Sequence, residues 1–296
     1  MMAVADPERR GQLLVAAAAV AWSTAGPVQR AVGAPAPTQA AIRAGAAALA
    51  LTVYLLLRRG RATSAAFRSV GRAGIGVAIG VAIASSSFIL ALGSTSVAHV
   101  LLFQAIAPFL AALFAWLLMR ERVLTRTWIA MGTALAGVAV MVGGSLGGGG
   151  LGGDLLSLLM STAFAAVLVI TRRHREISMT PATALGMGMS FIALAPFSHP
   201  GVLSGLDWTM LVALGAGQIG LGMILFTAGA RLIAAAQAGL ITLLEVVLGP
   251  LWMWLIYREQ PDGLTLAGGT IILAAVLVHA VADLRPTALA VRADAS

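Results

Sequence analysis

The 296-residue sequence contains no cysteine and no lysine, and charged residues of any kind are scarce. The absence of cysteine excludes disulfides, thiolate metal ligands and cysteine nucleophiles. Charged residues make up 10% of the positions and hydrophobic ones 59%, whereas a soluble domain has about 25% charged residues. A water-soluble fold of this length could not bury so much apolar surface. The composition therefore predicts a protein embedded in a lipid bilayer, whose tails are themselves apolar.

The formal net charge of +8 comes from arginines that are scattered between apolar runs. A nucleic-acid interface would gather such residues in one patch, so we expect no nucleic-acid partner. The sequence also has no HExxH zinc motif, no clustered carboxylates and no lysine for a phosphate-binding GK motif. Metal, acid–base and nucleotide chemistry need such groups. These absences favour a protein that is not an enzyme and uses no cofactor or metal.

Apolar runs separated by arginine clusters, glycine and proline predict ten membrane helices. The predicted segments are 11–32, 38–57, 71–92, 96–119, 127–144, 153–172, 180–197, 208–230, 233–257 and 263–282. If the N-terminus is cytoplasmic, sixteen arginines lie in cytoplasmic loops or termini and only Arg30 and Arg258 lie outside, with Arg43 inside a span. The positive-inside rule then predicts a multi-pass protein of the cell inner membrane with both termini in the cytoplasm.

An internal repeat relates the two halves of the chain. The segment 88–121 resembles 226–259 at a constant offset of 138, and Trp22 matches Phe164 at an offset of 142. Each half then has five helices, an odd number, so the second half must cross the membrane in the opposite sense. The predicted organisation is a first five-helix repeat at 1–144, a glycine-rich external linker at 145–152, an inverted second repeat at 153–283 and a cytoplasmic tail at 284–296.

These features resemble the EamA-type domains of the drug/metabolite transporter superfamily. The resemblance rests on Trp22, Arg43, the APFLAALFAWLLMRE run at 107–121 and the LLEVVLGPLWMWLIYRE run at 243–259. It implies an all-α membrane protein with two inverted five-helix repeats around a central cavity. The overall similarity is greatest to bacterial exporters of amino acids, aromatic ones in particular. One departure is that Val246 follows Glu245, where members of the family often have proline.

The resemblance implies a secondary transporter that exports small metabolites, amino acids above all, by alternating access. The implied partners are a small-molecule substrate and the bilayer, and proton coupling and plain facilitated efflux both stay open. A lipid carrier or flippase would share the same sequence signals. An intramembrane enzyme is a further alternative, although His99 and His279 are predicted near opposite faces of the membrane, which argues against a paired catalytic site.

Two charged residues are the first candidates for function. Glu245 is predicted near mid-depth of the ninth helix, where a carboxylate is unfavourable unless it is paired, neutralised or in contact with water. We interpret it as a proton-coupling site or a contact for a substrate amine, the alternative being a structural hydrogen bond. Arg43 is predicted about 8 Å from the outer face. It could hold a substrate carboxylate, pair with Glu245 or extend to the headgroups.

The other candidates are polar and aromatic residues on predicted helix faces. The helical period places Gln237 and Trp252 on the face of Glu245, and the repeat gives an equivalent face on the fourth helix. For each candidate, ordinary packing or a bond between helices is the alternative. The full predicted pathway is Trp22, Arg43, His99, Phe103, Gln104, Phe164, Gln218, Gln237, Glu245 and Trp252. Pro108 and Pro250 are predicted to kink their helices.

Overall fold

A computed structural model describes residues 7–95, 97–143, 150–258 and 260–283. Within these ranges it has no strand, and ten of its helices are long and apolar enough to cross a membrane. They are α1 (Pro7–Ala31), α2 (Ala36–Arg68), α3 (Gly71–Leu92), α4 (His99–Met119), α5 (Thr125–Val142), α6 (Leu151–Arg173), α7 (Thr180–Phe197), α8 (Gly205–Ala230), α9 (Ala235–Tyr257) and α10 (Gly263–Ala280). Each predicted segment coincides with one helix, so the predicted all-α class and number of spans are confirmed.

Large apolar side chains cover the outside of the helix bundle. Leu57, Ile129, Ile192 and Val278 are all exposed, each on a different helix. Soluble monomers rarely expose apolar surface on this scale, because water disfavours it. Lipid tails are themselves apolar and do not disfavour exposed apolar side chains. The chain is therefore a multi-pass membrane protein.

The helices of the two halves pack against one another in a two-fold pattern. The pairs are α5 with α10, α2 with α7, α4 with α9, α3 with α6, and α1 with α8. Exchanging the halves converts the α3–α6 pair into the α8–α1 pair and leaves the other three pairs unchanged, as a two-fold axis between repeats requires. Because each repeat crosses the membrane five times, the second is inverted relative to the first. The predicted inverted repeats are confirmed.

Glycines allow the closest approaches between these helices. At the α5–α10 contact, a Cβ added to Gly137 would lie 2.9 Å from the carbonyl oxygen of Gly268, which is closer than carbon and oxygen atoms pack. At the contact of α2 with α8, a Cβ on Gly215 would overlap the carbonyl oxygen of Arg43. Without a hydrophobic driving force between helices in lipid, such close backbone packing is a main source of association.

The fourth and the ninth helix are each interrupted within their length. α4 is interrupted at Ala105 and Ile106, and α9 at Leu243, which is the repeat equivalent of Ala105 at the offset of 138. The first interruption ends at Ile106, two residues before Pro108. Pro250 lies seven residues after the second, inside a continuous helical segment, Leu244–Tyr257. The break in α9 therefore does not coincide with its proline, and a kink at Pro250 stays a prediction.

Two predicted segments lie wholly or largely outside the described residues. They are positions 145–149 of the glycine-rich linker and the tail at 284–296. The described chain resumes at Gly150, and α6 begins at Leu151. The predicted boundaries between the repeats, the linker and the tail stay predictions.

Candidate functional site

A cavity of about 820 Å³ lies between the two repeats. It reaches the bundle end that holds Arg30 of α1, Leu92 of α3, and Gln260 and Asp262 of the α9–α10 loop. We call this end the mouth. The cavity extends from the mouth to Trp22 near the middle of the bundle. It has the size and position of a small-molecule site between helices.

Aromatic rings form the inner end of this central cavity. Trp22 and Phe164, matched by the repeat, meet edge to face with ring centres 6.0 Å apart. Phe226 packs against both, at 5.1 Å from Trp22 and 5.3 Å from Phe164. Because Phe226 is fully buried, this aromatic floor separates the cavity from the packed half of the bundle. Trp22 and Phe164 line the cavity, and their rings can contact an apolar group of a bound molecule.

A polar group next to the floor comes from an irregular part of α8. Residues Leu214–Leu221 form a π-helix, and π-helical turns are frequent at functional sites. This segment carries Gln218, whose Nε2 donates to the Trp22 carbonyl oxygen at 2.8 Å. The Gln218 Oε1 is buried and has no hydrogen-bond partner in the described structure. Gln218 therefore fixes the backbone of the floor and retains one acceptor that no described residue uses.

Two charged side chains inside the cavity have no partner among the described residues. Arg43 is 4% exposed, and its Nε makes no hydrogen bond. Glu245 follows the interruption of α9 and likewise forms neither a hydrogen bond nor an ion pair. Both residues line the cavity. The pairing of Arg43 with Glu245 that the sequence left open is not present. Arg43 is buried and Glu245 is half-buried, and charges in such positions are unfavourable unless water or a ligand contacts them.

Of the ten predicted pathway residues, the structure brings six together in the cavity and not the other four. The six that line it are Trp22, Arg43, Gln104, Phe164, Gln218 and Glu245. His99, Phe103, Gln237 and Trp252 are not among the lining residues of the described chain. Their place in a substrate pathway stays a prediction.

The four remaining residues join helices of different repeats. His99 Nδ1 lies 2.7 Å from Asp154 Oδ1 of α6, and the Phe103 carbonyl oxygen accepts from Ser161 at 2.8 Å. Trp252 Nε1 donates to the Ser23 hydroxyl at 2.8 Å. At the far end of the bundle, Gln237 Nε2 donates to Glu8 Oε1 at 3.4 Å. These contacts are the helix-to-helix bonds that the sequence gave as the alternative.

Further polar contacts join the two repeats at the end opposite the mouth. Arg173 donates to the Leu118 carbonyl oxygen at 2.9 Å. Arg172 lies 4.0 Å from Glu121 Oε1 of the first repeat, and within its own repeat it donates to the Arg231 carbonyl oxygen at 3.4 Å. We call the contacts of Arg173 with Leu118 and of Arg172 with Glu121, together with the Glu8–Gln237 bond, the closed-end contacts. They and the packing beneath the aromatic floor hold this end together while the mouth is open.

Sequence reasoning missed several residues of the cavity and its mouth. Phe226 was visible as the repeat partner of Phe88, which lines the cavity, but nothing in the sequence placed it beneath Trp22. The Arg30 guanidinium lies 5.1 Å from the centre of the Tyr257 ring at the mouth. Asp262 accepts a hydrogen bond from the Thr265 backbone N–H at 2.7 Å, which holds the pKa of that carboxyl below its usual value. Loop residues of this kind carry no periodic signal.

Comparison with known proteins agrees with this architecture. The model of the EamA-like transporter family matches residues 9–143 and 151–281. The chain belongs to the EamA-like transporter family. Its two matches correspond to the two five-helix repeats, so the family resemblance inferred from the sequence is confirmed. Family membership makes the chain a membrane transporter of small molecules.

A solved crystal structure is 22% identical to this EamA-like transporter and superposes with a TM-score of 0.79. The match covers 94% of this chain and 98% of that one. At this identity the likeness shows the shared fold alone. None of the curated proteins compared with the sequence matches it.

Proposed function

We propose that this transporter exports neutral amino acids, aromatic ones included, across the bacterial inner membrane. The observation that carries the proposal is a central cavity with an open mouth, a closed far end and unpartnered charges of both signs. An amino acid offers an ammonium group for Glu245 and an apolar side chain for the aromatic floor. Such a substrate satisfies a half-buried carboxylate for which the described residues provide no partner.

Alternating access follows from the two inverted repeats. In the proposed cycle the closed-end contacts break, the repeats rock against each other, and the mouth closes above the aromatic floor. Glu245 is then reached from the two sides of the membrane in turn. If Glu245 holds either a proton or the substrate ammonium but not both, substrate moves out as protons move in.

The arginine distribution supports an orientation for this cycle. Arg172, Arg173 and Arg231 lie at the closed end, as do the loops between α2 and α3 and between α4 and α5. By the positive-inside rule we place this end in the cytoplasm together with both termini. The mouth then faces outwards, and the structure corresponds to the state that releases an exported substrate.

The test is transport by the purified protein in proteoliposomes with an imposed pH gradient. We expect flux of neutral amino acids and none of nucleotides, sugars or lipophilic amines. Glu245→Gln should abolish gradient-driven uptake and retain counterflow exchange, because exchange needs no net proton movement. The matched control is Glu176→Gln, on an exposed loop residue, which should behave as wild type. Unchanged gradient dependence in the Glu245 variant would refute proton coupling, and flux of no amino acid would refute the substrate class.

A further inference from the structure

We propose that Arg43 binds the substrate carboxylate, so that the transporter selects amino acids over amines with the same side chain. The inference rests on the proposed transport of amino acids and adds the contact that defines this substrate class. Glu245 alone would accept any primary amine of suitable size. A second, cationic contact is needed to distinguish an amino acid from its decarboxylated product.

The surroundings of Arg43 do not account for a structural role. Its side chain is almost completely buried, two turns into α2, and lines the cavity. A structural arginine within a helix bundle normally bonds a carbonyl or carboxylate of a neighbouring helix. No described residue provides such an acceptor for Arg43. The described protein therefore leaves this guanidinium without a partner on the wall of the cavity.

Glu245 shares the cavity with Arg43 and does not neutralise it. No ion pair joins the two residues, and Glu245 has no other partner among the described residues. Two opposite charges that share a cavity without meeting favour a ligand that carries both signs. A zwitterion placed between them satisfies the guanidinium through its carboxylate and Glu245 through its ammonium group.

The charge of the lining favours a carboxylate over a phosphate as the anionic group. The charged residues that line the cavity are two arginines, Arg30 and Arg43, and two acids, Glu245 and Asp262. This balance of two positive and two negative side chains suits a ligand of zero net charge better than a phosphate dianion. The planar fork of a guanidinium also matches the geometry of a carboxylate.

The backbone beneath Arg43 is held in place by α8. Gly215 packs directly on the Arg43 carbonyl oxygen and on Ala46 of the next turn. This contact fixes the position of the Arg43 Cα relative to Gln218, which lies three residues further along the π-helix. A binding group that is positioned before the ligand arrives loses less entropy on binding.

The test is competition for counterflow in proteoliposomes. The competitors are the best-transported neutral amino acid, its α-amide and its decarboxylated amine. For the wild type we expect the amino acid to bind about 10- to 100-fold more tightly than the amide or the amine, as the loss of a charged hydrogen bond predicts. In Arg43→Gln the affinity for the amino acid should fall by a similar factor, and the affinity for the amine should not change.

Two further variants and one further ligand complete the test. Arg43→Lys keeps the positive charge and should lose part of the selectivity for amino acids over amines. This variant provides the test if Arg43→Gln does not fold. Arg68→Gln removes an exposed arginine outside the cavity and should retain wild-type selectivity. Competition by inorganic phosphate would overturn the assignment to a carboxylate. Equal affinities of the wild type for amino acid and amide would overturn this inference alone, whereas no amino-acid transport at all would refute the proposed function.

Discussion

The contact between Gly215 and α2 gives a prediction that links packing to the site. In Gly215→Ala the new Cβ would overlap the Arg43 carbonyl oxygen and lie 2.6 Å from Ala46 Cβ and 3.0 Å from Ala47 N. Ordinary contacts between such atoms are 3.4–4 Å. Because two of the three neighbours are backbone atoms, no side chain can rotate away. The two helices must separate locally, by about 1 Å, to accept the methyl group.

The expected change in stability of Gly215→Ala is the sum of two opposing effects. Overpacking of a tight interface destabilises a protein by about 1–3 kcal/mol. Alanine favours a helix over glycine by up to about 1 kcal/mol, so the same substitution at an unobstructed position should be neutral or stabilising. Gly217 is such a position, because a Cβ there meets no atom within 4 Å. The two variants should therefore differ in apparent melting temperature by at least about 2 °C, with Gly215→Ala the lower.

The assay is thermal unfolding in detergent, followed by counterflow of the retained protein. Gly215→Ala should also bind amino acids more weakly than the wild type, because the displaced backbone moves Arg43, whereas Gly217→Ala should bind them normally. Since both substitutions are glycine to alanine in the same π-helical segment, helix propensity cancels in the comparison. Equal melting temperatures and equal affinities for the two variants would refute the packing argument.

Two more predictions concern the ends of the bundle. Arg172→Gln removes the contact of Arg172 with Glu121 between the repeats and should favour opening of the closed end. A single cysteine introduced at the buried Ala236 should then react several-fold faster with a thiol reagent, and an unchanged rate would contradict the role of these contacts. Asp262→Asn removes the carboxylate that accepts from Thr265. Because the pKa of Asp262 is lowered in the folded state, its contribution is complete above the unfolded pKa and is lost as pH falls through the folded one. The variant should therefore melt below wild type at pH 7 and together with it in strong acid.

The membrane fold could be predicted from the sequence because its signals are local and repeated. Charge-free runs define the spans, and the offset of 138 relates 88–121 to 226–259 without any structural knowledge. Within lipid, backbone N–H and C=O groups must form hydrogen bonds with one another, and a helix achieves this within a single segment. An apolar segment of suitable length therefore forms a helix. The composition and the repeat were therefore sufficient for ten helices and for the inverted arrangement.

The orientation of single side chains could not be predicted as well. The shared face of Gln237, Glu245 and Trp252 was deduced from a regular helical period, but α9 is interrupted at Leu243, between the first two of them. No proline or glycine marks that position, so the sequence has no signal for the break. Gln237 consequently contacts Glu8 at the closed end, while Glu245 faces the cavity.

The comparison of the repeats indicates how one fold acquires a specific cargo. Ala105 and Leu243 break their helices at equivalent positions, and Trp22 meets its repeat partner Phe164 in the aromatic floor, so the symmetric residues build the cavity. Its charges are not symmetric. The repeat equivalent of Glu245 is Ala107, and offsets of 138 to 142 place Arg43 opposite positions 181–185, which carry no charge. If both repeats carried the same charged residue in the cavity, each of the two copies would be unfavourable unless a ligand contacted it. Apart from Arg30 and Asp262 at the mouth, the first half provides one positive charge, Arg43, and the second half one negative charge, Glu245, so a single zwitterion can contact both.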